Sequence, residues 1–320
     1  MVGKICGTGS FAPAQVWDNQ MLSQKVETSD EWIRERTGVE RRHIIQDETT
    51  ADLASAAAKA ALENAEVDAA EVELIIVATV SPDRLMPCTA CEVQKRIGAV
   101  HAVCFDLNAA CTGFLFALNT AQAYIGQGLF RTAVVIGAES MSNLTDWNDR
   151  ATCILFGDGA GAVVLKASEE GIYAQVSHSD GSRGDVLTCT SRNQAGYEGN
   201  PEAAETYIRM DGRAVFQFAV SKVPEVIREL LAGQAMRPEQ IDCYLLHQAN
   251  ERIVRAVAKR LGVGMEKFPV NMAEYGNTSS ASIPILLDEM NRQGRLKRGD
   301  YLILSGFGGG LSYGASLMRW

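Results

Sequence analysis

One thiol in this chain sits where a nucleophile would be built. Cys111 lies in Asn108-Ala109-Ala110-Cys111-Thr112-Gly113-Phe114. There an apolar, β-branched run from Val100 to Leu107 reads as a strand, and Gly113 to Gly126 carries apolar residues at helical spacing. A thiol at such a turn meets free backbone N–H groups and the positive end of the helix dipole. Both favour thiolate, so its pKa is expected below the free value of about 8.5. The small residues beside it leave room for a substrate. The same position also suits a cysteine that is only a small core residue.

Two further residues could work with such a thiol. His247 closes the apolar run Asp242-Cys243-Tyr244-Leu245-Leu246, and the C-terminal end of a strand is where α/β folds place chemistry. A histidine held there by one carbonyl is the alternative. His43, His101 and His178 lie in charged, strand-flanking or polar segments. Asn277 follows Gly276 in a turn with an N-cap signal, a role compatible with its amide also facing a ligand.

An internal repeat could position them. Glu73–Thr79 and Asp242–His247 read as buried strands about 168 residues apart, each after a long helix (Thr50–Ala65 and Val215–Leu231). The Cys111 helix has its counterpart in Ser279–Asn291, and Thr132–Gly137 pairs with Asp300–Ser305. Gly157–Leu165 pairs with Gly308–Leu317, and each half is expected to end in a hairpin. The first half carries an extra segment between Ser140 and Phe156, and Ser168–Met210 reads as linking loops. The expected architecture is α/β, layered, from residues 1–170 (with Cys111) and 171–320 (with His247 and Asn277). Equivalent strand ends would bring the three residues to one pocket.

Composition excludes several classes. The chain of 320 residues is 47% hydrophobic and 22% charged, with a net charge of −9 that argues against general nucleic-acid binding. No run of 18 apolar residues is present, and Met1–Cys6 reads as a first strand, not a signal peptide. Eight scattered cysteines fit reduced thiols in a cytoplasmic protein. Cys88 and Cys91 form a lone pair without ligands at zinc spacing, so no metal is expected. Gly7–Pro13 and Gly157–Gly161 imitate phosphate loops without the helix that such loops need.

Residues 108–114, His247-Gln248-Ala249-Asn250-Glu251-Arg252-Ile253 and residues 276–284 occur in this order, with Ser29–Ile33, Arg36–Gly38, Leu155–Gly161 and Gly308–Gly310. On these motifs the chain resembles, nearly end to end, the β-ketoacyl-acyl-carrier-protein synthase III family, the initiating condensing enzymes of bacterial fatty-acid synthesis. The resemblance implies a thiolase-like αβαβα fold and a homodimer. It implies Cys111, His247 and Asn277 as catalytic, acyl-CoA and malonyl-acyl-carrier protein as substrates, and no cofactor. Cys111 would take the acyl group, and His247 and Asn277 would stabilise the enolate oxygen. Backbone N–H groups of Cys111 and Gly309 would hold the acyl oxyanion. Thr28, Trp32, Arg36, Arg150, Gly212 and Asn250 would contact CoA, with Trp32 and Arg150 flanking the adenine. Met210 and Phe307 would line the acyl channel, and Met86 would reach the partner's channel, favouring a short primer such as acetyl. Gln248, Arg252, Arg255 and Lys259 would dock the carrier protein. The missing second cysteine disfavours a degradative thiolase, and Asn277 in place of a second histidine disfavours an elongating synthase. A related synthase of secondary metabolism and a non-catalytic acyl-binding subunit are the alternatives.

Overall fold

The computed structural model describes residues 1–190 and 207–320. Two sheets organise them. The first contains β1 (Val2–Phe11), β4 (Leu74–Ala78), β5 (Val103–Leu107), β6 (Thr132–Glu139) and β7 (Gly159–Ser168), in the order β1-β7-β6-β4-β5. The second contains β8 (Tyr173–Ser179), β11 (Cys243–Leu246), β12 (Tyr301–Gly308) and β13 (Ser312–Arg319), in the order β11-β12-β13-β8. β4 lies parallel to β5 and β6, and β11 lies parallel to β12; the other pairings are antiparallel. Two short ribbons complete the strands: β2 (Val16–Asp18) with β3 (Arg41–His43), and β9 (Leu187–Thr188) with β10 (Arg209–Met210).

The central strands are apolar on both faces because both faces are covered. In β6, Ala133 and Val135 join one core while Val134, Ile136 and Ala138 join another. The outer core of the first sheet is roofed by α3 (Thr50–Ala65) and α4 (Thr89–Ile97). Between the sheets lie α5 (Gly113–Gly126) and α9 (Ser282–Arg292), which give Phe114, Leu118, Ile283 and Leu287 to the shared core. The far face of the second sheet packs on α6 (Gly212–Gly233) and α7 (Glu251–Leu261). The layers therefore run helix, sheet, helices, sheet, helix. Three short helices, α1 (Asn19–Ser23), α2 (Asp30–Thr37) and α8 (Met272–Tyr275), lie outside these layers.

The repeat is closer than the sequence indicates. Starts at residues 74 and 243, 110 and 279, 113 and 282, and 132 and 301 are a constant 169 apart. Some details differ from expectation. β5 starts at Val103, because Gly98 (φ +81°) caps α4 and a turn follows it. Only the second half closes in a hairpin, β12–β13; in the first half the segment after Glu139 separates β6 from β7. Ser168–Met210 is more than linking loops: β8 lies there and pairs with β13 as β1 pairs with β7. Residues 191–206 of that stretch lie outside the described residues.

Candidate active site

Cys111 sits in a one-turn 3-10 segment, Ala110–Thr112, that leads directly into α5. Ala110 holds φ +47°, a conformation that costs a non-glycine residue of order 1 kcal/mol or more and gathers at functional sites. The turn is pinned from the second half. The Thr112 hydroxyl hydrogen-bonds the Ala109 carbonyl (2.6 Å) and the Ser312 hydroxyl (2.7 Å). A Cβ added at Gly308 would stand 2.7 Å from the Cys111 backbone nitrogen. The close approach thus belongs to Gly308. At Gly309 an added Cβ meets nothing nearer than 3.5 Å, so packing does not require that glycine.

His247 follows β11 and is 3% exposed. Its Nδ1 lies 2.7 Å from Ser282 Oγ, which leaves Nε2 for the pocket, and its ring meets Phe307 edge-on at 5.4 Å. Burial without a charged partner lowers its pKa to about 3, so the ring is neutral at physiological pH. Asn277 is pinned by the first half: its N–H donates to the Leu155 carbonyl (2.8 Å), and its carbonyl accepts from Gly157 N–H (3.1 Å). Its Oδ1 accepts from Ser279 N–H (2.9 Å), which leaves the amide N–H groups as donors. The segment inserted after Ser140 therefore builds the Asn277 turn.

Cys111, His247 and Asn277 line one cavity of about 650 Å³, together with Met210, Phe307 and Gly308–Gly310. That is ligand-sized. One expectation is corrected here. The surroundings of Cys111 do not favour the expected lowered pKa: desolvation, and after it the nearby Glu139 carboxyl group, push the thiol up to about 12. Desolvation outweighs the helix dipole, which reaches only the first turn.

Toward the mouth, Arg36, Gly212 and Asn250 also line the cavity. Asn250 caps α7 by accepting from Arg252 N–H (2.9 Å), and its Nδ2 donates to the Arg36 carbonyl (2.9 Å). The Arg150 and Arg36 guanidinium groups lie 5.1 and 5.3 Å from the centre of the Trp32 ring. Thr28 Oγ1 is buried without a hydrogen-bond partner. Met86 does not line the cavity and is 85% exposed.

The basic face of α7 is partly as expected. Arg252, Arg255 and Lys259 are exposed. Arg252 lies 5.5 Å over Phe216, a residue of the cavity wall, and Arg255 Nε donates to Glu251 (2.9 Å). Gln248 is a correction. It is 1% exposed, donates to the Leu246 carbonyl (2.7 Å) and accepts from Asn271 N–H (3.1 Å), so it cannot meet a docking protein. Sequence reasoning missed Ser279, Ser282 and Glu139. The signal for Glu139 was a charge closing an apolar strand.

Two repeated halves in αβαβα layers, with a thiol, a neutral histidine and an amide at their junction, define a thiolase-fold protein. The family model for 3-oxoacyl-[acyl-carrier-protein] synthase III matches residues 105–181, and that for its C-terminal part matches residues 231–320. The β-ketoacyl-[acyl-carrier-protein] synthase III of Clostridium acetobutylicum is 47% identical over 319 residues, covering 99% of this chain and 98% of that protein. The crystal structure of 3-oxoacyl-[acyl-carrier-protein] synthase III from Aquifex aeolicus is 43% identical with TM-score 0.94, covering 99% of this chain and 100% of that one. A priming β-ketosynthase from a polyketide pathway is 35% identical, also with TM-score 0.94, over 99% of this chain and 96% of that one. The chain belongs to the 3-oxoacyl-[acyl-carrier-protein] synthase III family.

Proposed function

We propose that this chain is an acyltransferase that joins a short acyl-CoA, acetyl-CoA first among them, to malonyl-acyl-carrier protein and so initiates fatty-acid synthesis. Cys111 attacks the thioester carbon, forms acyl-Cys111 and releases CoA. Malonyl-acyl-carrier protein then loses carbon dioxide. The resulting enolate attacks the acyl-Cys111 carbonyl, giving 3-oxoacyl-acyl-carrier protein and restoring the thiol. The observation that carries this reading is the convergence of Cys111, His247 and Asn277 on one cavity, with His247 neutral. A neutral ring and an amide can donate to a developing enolate oxygen without giving up a proton. The sequence calls for no cofactor, because CoA is a product of the first step. Gly309 and Cys111 N–H groups are proposed to hold the acyl oxyanion.

Arg36, Trp32, Arg150, Thr28, Gly212 and Asn250 are proposed to hold CoA, since planar guanidinium and indole surfaces suit an adenine. Arg252, Arg255 and Lys259 are proposed to dock the acidic carrier protein beside the cavity mouth. Arg252→Glu should raise KM for malonyl-acyl-carrier protein and spare malonyl-CoA; an unchanged KM contradicts docking there. The reading includes a homodimer in a cytoplasmic setting. Leu85 and Met86, 62% and 85% exposed, are apolar side chains suited to a second copy. Sedimentation should give twice the chain mass, and a single-chain mass at micromolar concentration would contradict the dimer. No helix among the described residues is long and apolar enough to cross a membrane.

The whole reading is tested by condensation: acetyl-CoA and malonyl-acyl-carrier protein should give acetoacetyl-acyl-carrier protein, and Cys111→Ser should not. The polyketide-pathway relative supports a second reading, in which the primer or carrier protein belongs to secondary metabolism. Activity only with an unusual acyl donor would favour it.

A further inference from the structure

Ser282 opens α9 and is 2% exposed. Among the described residues its hydroxyl oxygen has two partners, both just after β11. His247 Nδ1 lies at 2.7 Å, and Gln248 N–H donates to it at 3.3 Å. The carbonyl one turn back, that of Thr278, already accepts from Ala281 N–H (3.0 Å). If Nδ1 carried a proton and donated it, Ser282 Oγ would accept twice. Its own proton would then point at no acceptor in a buried place. If Ser282 donates instead, Nδ1 accepts, Gln248 N–H keeps its partner and no donor is orphaned. Leaving a buried donor unmatched is costly, so the second arrangement is the stable one. A neutral imidazole has one ring proton, and that proton then sits on Nε2, the nitrogen left for the cavity.

The repeat argues that the fold does not need this contact. At the 169-residue offset Ser282 corresponds to Gly113, which opens α5, and His247 corresponds to Ala78, which ends β4. These two positions also meet: a Cβ added at Gly113 would stand 3.1 Å from Ala78 Cβ. The first half thus closes the same helix start on the same strand end without a polar side chain, and Ala78 and Phe114 beside it are fully buried. The hydroxyl and the imidazole are what the second half adds.

We propose that Ser282 is a positioning residue: it donates its hydroxyl proton to His247 Nδ1 and so keeps the ring's own proton on Nε2, facing the place where the enolate oxygen forms. The inference rests on the reading of His247 as an enolate donor. Ser282 makes no bond to substrate and acts only through the ring. With the proton on Nδ1 instead, a bare Nε2 would turn a lone pair toward a developing negative charge. One of the two proposed donors would then become a repulsive neighbour, and the amide of Asn277 would be left to act against it. The imidazole alone does not choose between the two tautomers to this end; the hydrogen bond at its far nitrogen does.

Ser282→Ala should be tolerated, because Gly113 makes the matching junction without a side chain and alanine suits a helix. In protein carrying isotope-labelled histidine, the ring nitrogen signals of His247 are assigned by their loss in His247→Ala. They should show the proton on Nε2 in the unaltered protein, and a mixture of the two tautomers in Ser282→Ala. Decarboxylation of malonyl-acyl-carrier protein by Ser282→Ala should fall about fivefold in kcat, the worth of one hydrogen bond, with KM little changed. Acetyl transfer to Cys111 should stay close to that of the unaltered protein. A proton on Nδ1 in the unaltered protein, ring signals unchanged in Ser282→Ala, or equal losses in both half-reactions would each overturn the proposal. Full decarboxylation by His247→Ala would count against the proposed function, and the ring signals would still decide whether Ser282 sets the tautomer.

Discussion

A histidine that stays neutral would suit the enolate donor proposed for His247. Burial holds His247 near pKa 3, so between about pH 5 and 8 its ring stays neutral. Decarboxylation of malonyl-acyl-carrier protein should therefore show no loss as pH falls through 6.5; a loss there would contradict a neutral role. For stability the effect is the opposite of a salt-bridged histidine: below pH 6.5 the unfolded chain takes up a proton that the folded ring refuses, so folding weakens toward pH 3. His247→Ala and Asn277→Ala should each lose roughly a hundredfold or more in decarboxylation, with a smaller loss in acetyl transfer. Equal losses in both half-reactions would mean that these residues only shape the cavity. The identity of these residues was legible because each sits in an ordered motif. The upward push on the Cys111 thiol was not, because burial and Glu139, which oppose thiolate formation, come from elements far away in sequence.

The turns proposed to carry the chemistry are held by elements of the other half. Gly308, ending β12, leaves no room for a side chain above Cys111, while Gly309 does. Gly308→Ala should displace the Cys111 turn and reduce acetyl transfer sharply with the fold retained, and Gly309→Ala should do less; single-turnover acylation and circular dichroism check this. Equal tolerance at both would show that the turn can move. Element type and order were readable from periodicity, since strands such as Leu74–Ala78 are apolar throughout and helices such as Thr50–Ala65 carry a capping box. β8 was not, because Tyr173–Ser179 covers a sheet edge and alternates polar with apolar residues. Gln248 was misread for a related reason. It lies in the same motif as Arg252, but precedes α7 and turns inward to Asn271.

Across the whole molecule, duplication explains why Cys111 and Asn277 meet in one pocket although they lie 166 positions apart. Each half supplies a turn entering a central helix, and the opposite half's strand end covers it. The halves have diverged at those turns, one carrying the proposed nucleophile and the other a proposed donor, which is why a weak sequence repeat hides the 169-residue structural offset. The claim that joins these scales is that Cys111 carries the acyl group between two substrates. Incubation with acetyl-CoA, followed by intact and peptide mass and then by addition of malonyl-acyl-carrier protein, tests it most directly. The account predicts one acetyl group on Cys111, discharged as acetoacetyl-acyl-carrier protein, and none on Cys111→Ser. A protein that condenses the two substrates with Cys111 unmodified or replaced would contradict it.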